Sequence, residues 1–378
     1  MSFLGFTWYY VILFLCVLTV LVYVHEWGHY WAARRNNVRV EVFSIGFGPE
    51  IYGWTDRAGT RWKISAVPLG GYVKMFGETE SAADAERERT MAPAERAVSF
   101  NHKGVGQRAV IVAAGPLANF LFAIVVFAGL AAFVGMQVPL AGVGHVMPGS
   151  AAEEAGLKVG DTVLAINGEE VQRFDDLRAI VARNPGARLQ LKVRRDGREL
   201  TVQAVPRSRR ELDESGKVVE TGLLGVRPDV NQVLYERQNP IKALWFGVER
   251  TFGMVGTIVA FLAEMFVDKT ASEQLGGPLR IAQLSGEMAQ GGIVNLLVFM
   301  AALSVNLGLI NLLPVPMLDG GHLVFYGVEW ARGRPLGPKV QEYSFRFGLV
   351  LVILLMGYAT WNDLKQLRVF ELIKGLIT

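Results

Sequence analysis

Residues 7–29 read TWYYVILFLCVLTVLVYVHEWGH, and the fold turns on them. Thr7–Val24 carries no charge and is long enough to cross the hydrocarbon core of a bilayer as a helix. It lacks a basic leading region and a small-residue cleavage site, so it reads as a retained span and not as a signal peptide. It runs straight into His25-Glu26-Trp27-Gly28-His29. On a helix, residues four apart share a face about 6 Å apart along the axis, so both imidazoles can reach one metal ion. Glu26 stands beside them, placed to take a proton from an attacking water. The bland alternative is a polar cluster that merely closes a helix. Two histidines and a carboxylate at the end of an apolar span are costly, however, and ionisable groups there mark function.

The whole chain has the same texture. Its 378 residues are 51% hydrophobic and 19% charged, with a mean hydropathy of +0.29. That is too apolar for an ordinary soluble protein and too charged for a bare helix bundle, and it excludes disordered, collagen-like and disulfide-scaffold classes. The single cysteine, Cys16, lies in the first apolar run, so no intrachain disulfide or CxxC metal site is possible. A net charge of +3 suggests no nucleic-acid partner.

Three further uncharged runs read as spans: Ala109–Val134, Ala289–Leu318 and Phe347–Asn362. Ala243–Val267 does not, because its charge-free core, Thr251–Ala263, is too short and reads as interfacial or re-entrant. The expected fold is therefore an α-helical membrane protein with four transmembrane helices. Twelve Lys/Arg between Arg34 and Arg108, and Arg332, Arg334, Lys339 and Arg346 after the third span, place both loops in the cytoplasm. The N-terminus and the loop from about 138 to 290 then lie outside.

The expected domains are 1–34 (first span with HExxH), 35–108 (cytoplasmic or membrane-associated β-hairpin and loop), 109–137 (second span) and 138–208 (a folded loop domain). They continue as 209–288 (segment with an interfacial helix), 289–331 (third span), 332–346 (cytoplasmic loop) and 347–378 (fourth span and tail). Within 35–108, Val38–Lys74 alternates polar and apolar residues about a turn at Asp56–Gly59, as a hairpin does. Residues 78–101 are charged and poorly patterned, and read as a mobile loop. Within 138–208, β-rich runs at Thr162–Ile166 and Leu189–Arg194 are punctuated by Asn-Gly and Asp-Gly turns, with helices expected at Ala151–Ala155 and Phe174–Arg183. The string Pro148–Val171, PGSAAEEAGLKVGDTVLAINGEEV, resembles a PDZ domain of the bacterial protease type. That resemblance implies an extracytoplasmic α+β domain that takes peptide termini onto a sheet edge. The alternative is a domain that only fills space or gates access.

A zinc site needs a third protein ligand. The candidates are His102, His145, His322 and Asp319. Asp319, in Asn311-Leu-Leu-Pro-Val-Pro-Met-Leu-Asp-Gly-Gly-His322, is the strongest and His322 the weaker alternative. Pro314 and Pro316 must break the third helix, and irregular backbone at membrane depth is tolerated where it lines a cavity. With four spans, the first and third helices run the same way, so HEWGH and Asp319 share a depth, roughly 10–20 Å short of the cytoplasmic arginines.

HEWGH, Gly115-Pro-Leu-Ala-Asn119, one PDZ-like domain, Gly276-Gly-Pro-Leu-Arg-Ile-Ala282 and NLLPVPMLDGGH together resemble the site-2 protease family, the bacterial regulator-of-sigma-E protease type above all. The resemblance implies Zn2+ on His25, His29 and Asp319, Glu26 as catalytic base, Asn311 facing the substrate or oxyanion, and Asn306 and Pro316 shaping the site. Pro68-Leu-Gly-Gly-Tyr-Val-Lys74 looks like the family's membrane-associated β element, which holds substrate as an added strand near Gly71, Tyr72 and Val73. It also implies a bacterial inner-membrane setting in contact with lipid, and single-span substrates such as anti-sigma factors or signal-peptide remnants. Enterobacterial members carry two tandem PDZ domains, whereas this chain has room for one. Two other readings stay open at this stage: a membrane-anchored PDZ receptor with a structural zinc, and a metal transporter.

Overall fold

The computed structural model describes residues 3–78, 90–212, 218–229, 232–265 and 276–366. The chain divides into two units, Met1–Ala128 with Ala243–Thr378, and Gly129–Lys242. Residues 367–378, in the expected tail, and residues 79–89 of the loop expected at 78–101 lie outside the described residues.

The first unit is built on long apolar helices: α1 (Phe3–Arg35), α3 (Val105–Phe133), α6 (Pro240–Glu264), α8 (Ile293–Leu312) and α10 (Pro338–Gln366). All five are long and apolar enough to cross a membrane, one more than the four spans read from the sequence. The additional helix is α6. Arg250, at the edge of the charge-free core Thr251–Ala263, sits exposed in mid-helix beside the exposed Glu249. A charge on an exposed face does not end a helix, and the Lys242 N–H is satisfied by Asn239 Oδ1 at 2.8 Å, which caps the start. The other face of α6 packs Phe246, Met254, Val255 and Ile258 on Phe120, Ala123, Phe127, Ala301 and Val305. On α3, Leu117, Leu121 and Val125 form an i, i+4 stripe in which each residue is more than half exposed, a surface suited to lipid and not to water.

Between α1 and α3 the chain makes strands β1 (Val40–Thr55) and β2 (Arg61–Met75). The expected two-stranded hairpin is more elaborate. Both strands bend, so that Phe43 lies opposite Val73 on one side and Trp62 on the other, while residues 50–55 pair with 61–65. Two strands thus make a sheet four lanes wide, and residues 71–75 form one outer lane. Gly46 and Gly48, at φ near +88°, supply the bend in β1.

Residues 90–101 also depart from the loop reading. They contain a short helix, α2 (Pro93–Arg96), with Met91, Ser99 and Phe100 buried. Phe100 joins Ala32, Val40, Met75 and Ile111 in a core beneath the sheet. Its apolar residues are sparse in the sequence, which hid these anchors.

The second unit, Gly129–Lys242, is a small α+β body. Its main sheet has the order β6 (Glu169–Glu170), β5 (Thr162–Ile166), β7 (Leu189–Arg195), β8 (Arg198–Ala204), all antiparallel. Helices α4 (Ala151–Glu154) and α5 (Phe174–Ala182) stand where the sequence placed them. Asn167-Gly168 and Asp196-Gly197 each take left-handed φ at both residues, the turn that matches strand twist in two-residue hairpins. Leu157, Val163, Ile166, Leu177, Leu191 and Val193 form the core. Strands β3 (Met136–Pro139) and β4 (Val143–Val146) pair with β12 (Val233–Glu236) and β11 (Val226–Pro228), while β9 (Arg207–Leu212) and β10 (Val218–Leu223) form a hairpin.

Candidate active site

The helical register of α1 places His25 and His29 on one face, both buried. Their Nε2 atoms lie 3.3 Å apart with the rings nearly perpendicular. Asp319 Oδ2 sits 3.2 Å from His25 Nε2 and 3.5 Å from His29 Nε2. Asp319 arrives there because α8 ends at Leu312 and a new helix, α9 (Asp319–Arg332), starts with Asp319 itself. The intervening turn contains Pro314, Pro316 and Met317, the last at φ +88°. Gly320 and Gly321 let α9 tuck under this turn, for a side chain at either would strike the backbone of Leu312–Pro316. A carboxylate in the first turn of a helix is also favoured by the helix dipole.

These atoms form the one group among the described residues able to hold a metal ion. Asp319 Oδ2 is buried and receives no aligned hydrogen bond, although two imidazole nitrogens surround it. Three lone-pair donors turned toward one another call for a cation. Their spacing of 3.2–3.5 Å fits one face of a tetrahedron; for Zn–N and Zn–O bonds near 2.0–2.1 Å that edge is about 3.3 Å. Behind the ligands, His29 Nδ1–H donates to the Ile111 carbonyl at 3.0 Å, which leaves Nε2 unprotonated and facing the cluster. The donor set fits zinc.

The cluster opens onto a cavity of about 1010 Å³ lined by Glu26, Tyr72, Val73, Asn311 and Met317, among others. Tyr72 and Val73 belong to the outer lane of the sheet, which pairs with residues 40–45 on one side and with no strand on its other side among the described residues. Gly71 packs directly against Val22 and the Glu26 side chain. The sheet is fixed to α1 through Asp56. Its carboxylate accepts from Trp62 Nε1 at 2.9 Å, the Ala58 and Thr60 N–H groups at 2.8 and 3.0 Å, and Tyr30 Oη at 3.4 Å. Edge-on contacts of Tyr30 with Phe43 and Trp62, and of Tyr23 with Phe43, complete the join.

The sequence-predicted residues therefore divide. His25, Glu26, His29, Tyr72, Val73, Asn311 and Asp319 line one cavity. Gly71 stands behind Glu26. Asn306 and Pro316 are not among the lining residues. The Pro316 backbone lies against Gly348 of α10. His322 lines the cavity but lies outside the donor cluster, packed near Phe345. Sequence reasoning missed Arg108, which pairs with Glu329 at 2.6 Å and lies over the Tyr326 ring at the cavity wall. It also gave no role to Asn119, whose amide is 3.1 Å from His25 Nδ1. An isolated Asn in an otherwise apolar helix was the available signal.

Apolar helices enclosing a buried His-His-Asp cluster beside a glutamate define a membrane metalloprotease. The chain belongs to peptidase family M50, whose family model matches residues 13–355. It is 45% identical over 358 residues to a Rhizobium meliloti (strain 1021) protein named "Putative zinc metalloprotease", covering 94% of this chain and 96% of that one. It is 37% identical over 388 residues to Metalloprotease MmpA of Caulobacter vibrioides, covering 96% and 97%. With Protease RseP of Yersinia pestis it shares 33% identity over 453 residues, covering 94% of this chain and 98% of RseP. The chain is a zinc metalloprotease of the site-2 protease family.

Proposed function

We propose that this protease is an intramembrane endopeptidase that cuts the spanning helix of single-span proteins. The observation that carries the reading is Glu26 beside the buried donor cluster, in a cavity walled by a strand with one side unpaired among the described residues. His25, His29 and Asp319 are the zinc ligands in this reading. Zinc, when bound, supplies Lewis acidity that polarises the scissile carbonyl. Glu26 takes the proton of the attacking water and passes it to the leaving amine, and the Asn311 amide donates to the oxyanion.

A helix in lipid hides its peptide groups in i→i−4 hydrogen bonds and must unwind before hydrolysis. The outer lane at Gly71–Val73 offers the unwound stretch new backbone partners, as strand addition does elsewhere. Tyr72 and Val73 would then sort the side chains that flank the cut. The expected substrates are anti-sigma-factor-like proteins and signal-peptide remnants in a bacterial inner membrane, cut near the cytoplasmic side. Residues 138–208 act as an extracytoplasmic PDZ domain that receives peptide termini.

The test is cleavage of a tagged single-span substrate by detergent-purified protein, with zinc quantified. Glu26→Gln is expected to lower the rate by about 10²–10⁴-fold at unchanged zinc content. Stripping zinc with a chelator is expected to abolish cleavage reversibly. Equal rates for wild type and E26Q would sink the assignment of Glu26.

A further inference from the structure

Asn119 is completely buried on α3, and the mechanism above does not use it. One end of its amide lies 3.1 Å from His25 Nδ1; the other end, written as Oδ1, is buried with no partner. Ser304 Oγ donates to the Asn119 backbone carbonyl at 2.9 Å and fixes the residue between α3 and α8.

The two orientations of the amide have different consequences for His25. With the NH2 group toward the ring, Nδ1 must accept, so the ring proton sits on Nε2 and points at His29 Nε2 and Asp319 Oδ2. The amide oxygen is then left without a partner, and the Nε2 proton occupies the place a metal ion would take. With the amide reversed, Oδ1 accepts Nδ1–H, and Nε2 turns its lone pair toward the cluster. His29 already has this arrangement through the Ile111 carbonyl.

We infer that Asn119 is a positioning residue for His25: its amide oxygen holds Nδ1–H and so keeps Nε2 open to the metal. The inference rests on the zinc-ligand reading given above. It also gives a physical meaning to the Gly115-x-x-x-Asn119 spacing. Gly115 and Asn119 are one helical turn apart, as are His25 and His29. Gly115 makes room for the His29 ring and Asn119 reaches the His25 ring, so the order is reversed along the two helices, as antiparallel neighbours require.

The experiment is zinc affinity, measured by chelator competition on the detergent-purified full chain, for wild type, Asn119→Leu and Asn119→Asp. Leucine has nearly the same size and no acceptor, whereas aspartate restores one. N119L is expected to bind zinc about 10–100-fold more weakly, the usual effect of losing such a partner. N119D is expected to bind at least as tightly as wild type. The metal-free proteins should unfold at the same temperature, since the effect operates through the ligand and not through packing. Wild-type affinity in N119L, or an equal loss in N119L and N119D, would overturn the inference. If N119L does not accumulate, the comparison of N119D with wild type decides: tight binding supports the role and a tenfold loss overturns it. Absence of zinc from wild type and N119D alike would overturn the ligand reading as well. Zinc-loaded wild type that cleaves nothing would count against the proposed substrate class only.

Discussion

A Cβ at Gly115 would fall on the imidazole of His29, and one at Gly28 on the backbone carbonyl of Ala114. The two glycines let α1 and α3 approach closely enough for the histidines to be held from behind by α3. Gly115→Ala should therefore push His29 off the cluster. Zinc affinity is expected to fall about 10–100-fold, with cleavage falling alongside. Gly129→Ala on the same helix meets nothing within 4 Å and serves as the control. Chelator competition on the two variants checks this. Unchanged zinc binding in G115A would show that the ring tolerates displacement. The histidines and Asp319 were legible in the sequence because each sits in a short string with a chemical spacing. Asn306 rested on the family resemblance alone, and it does not line the cavity.

At the level of elements, α7 (Pro278–Gln290) has no capping side chain of its own. Its first N–H groups are satisfied from α10. Asp363, 1% exposed, accepts from the N–H groups of Gly277, Leu279 and Arg280 at 2.7, 3.0 and 3.1 Å. This carboxylate joins two helices more than eighty residues apart, and the bare Cα of Gly277 gives it access. Asp363→Ala should cost about 2 kcal/mol, because one buried and two half-buried donors lose a charged acceptor. The thermal midpoint should fall while zinc content per folded molecule is retained; loss of zinc instead would tie α7 to the site. The Gly276–Ala282 string was legible as a motif, but its function as a cap receiver was not, since the partner is so distant in sequence. The four-lane sheet was hidden for a similar reason. Alternation marks a strand, but not a bend that gives one strand two neighbours. The α6 helix was expected as an interfacial or re-entrant element; its 25 residues are also long and apolar enough for a span, with Glu249 and Arg250 on an exposed face.

The whole molecule consists of two units with different chemical dependences, and these can be separated by experiment. Zinc can stabilise only the unit that contains His25, His29 and Asp319, by mass action on its folded form. The Gly129–Lys242 unit depends on Asp161, which is wholly buried. Asp161 takes two bonds from the Arg195 guanidinium, at 2.7 and 2.6 Å, and one from the Lys158 N–H at 2.8 Å. Burial alone would raise its pKa, but the Arg195 and Lys158 hydrogen bonds outweigh burial and hold it below the ordinary carboxylate range. A depressed carboxylate pKa contributes stability that is fully present above the unfolded value, about 3.9, and lost as the pH falls through the folded one. Asp161→Asn should lower the stability of this unit by about 2 kcal/mol near neutral pH, Arg195 being partly exposed. The difference between wild type and D161N should stay constant from about pH 5 to 8 and close below about pH 4. Calorimetry of the full chain, with and without a zinc chelator, reads both effects. Chelation should move the transition of the site-bearing unit and leave the D161N difference unchanged. A difference that persisted undiminished well below the folded pKa of Asp161 would show that the pair acts through shape and not through charge.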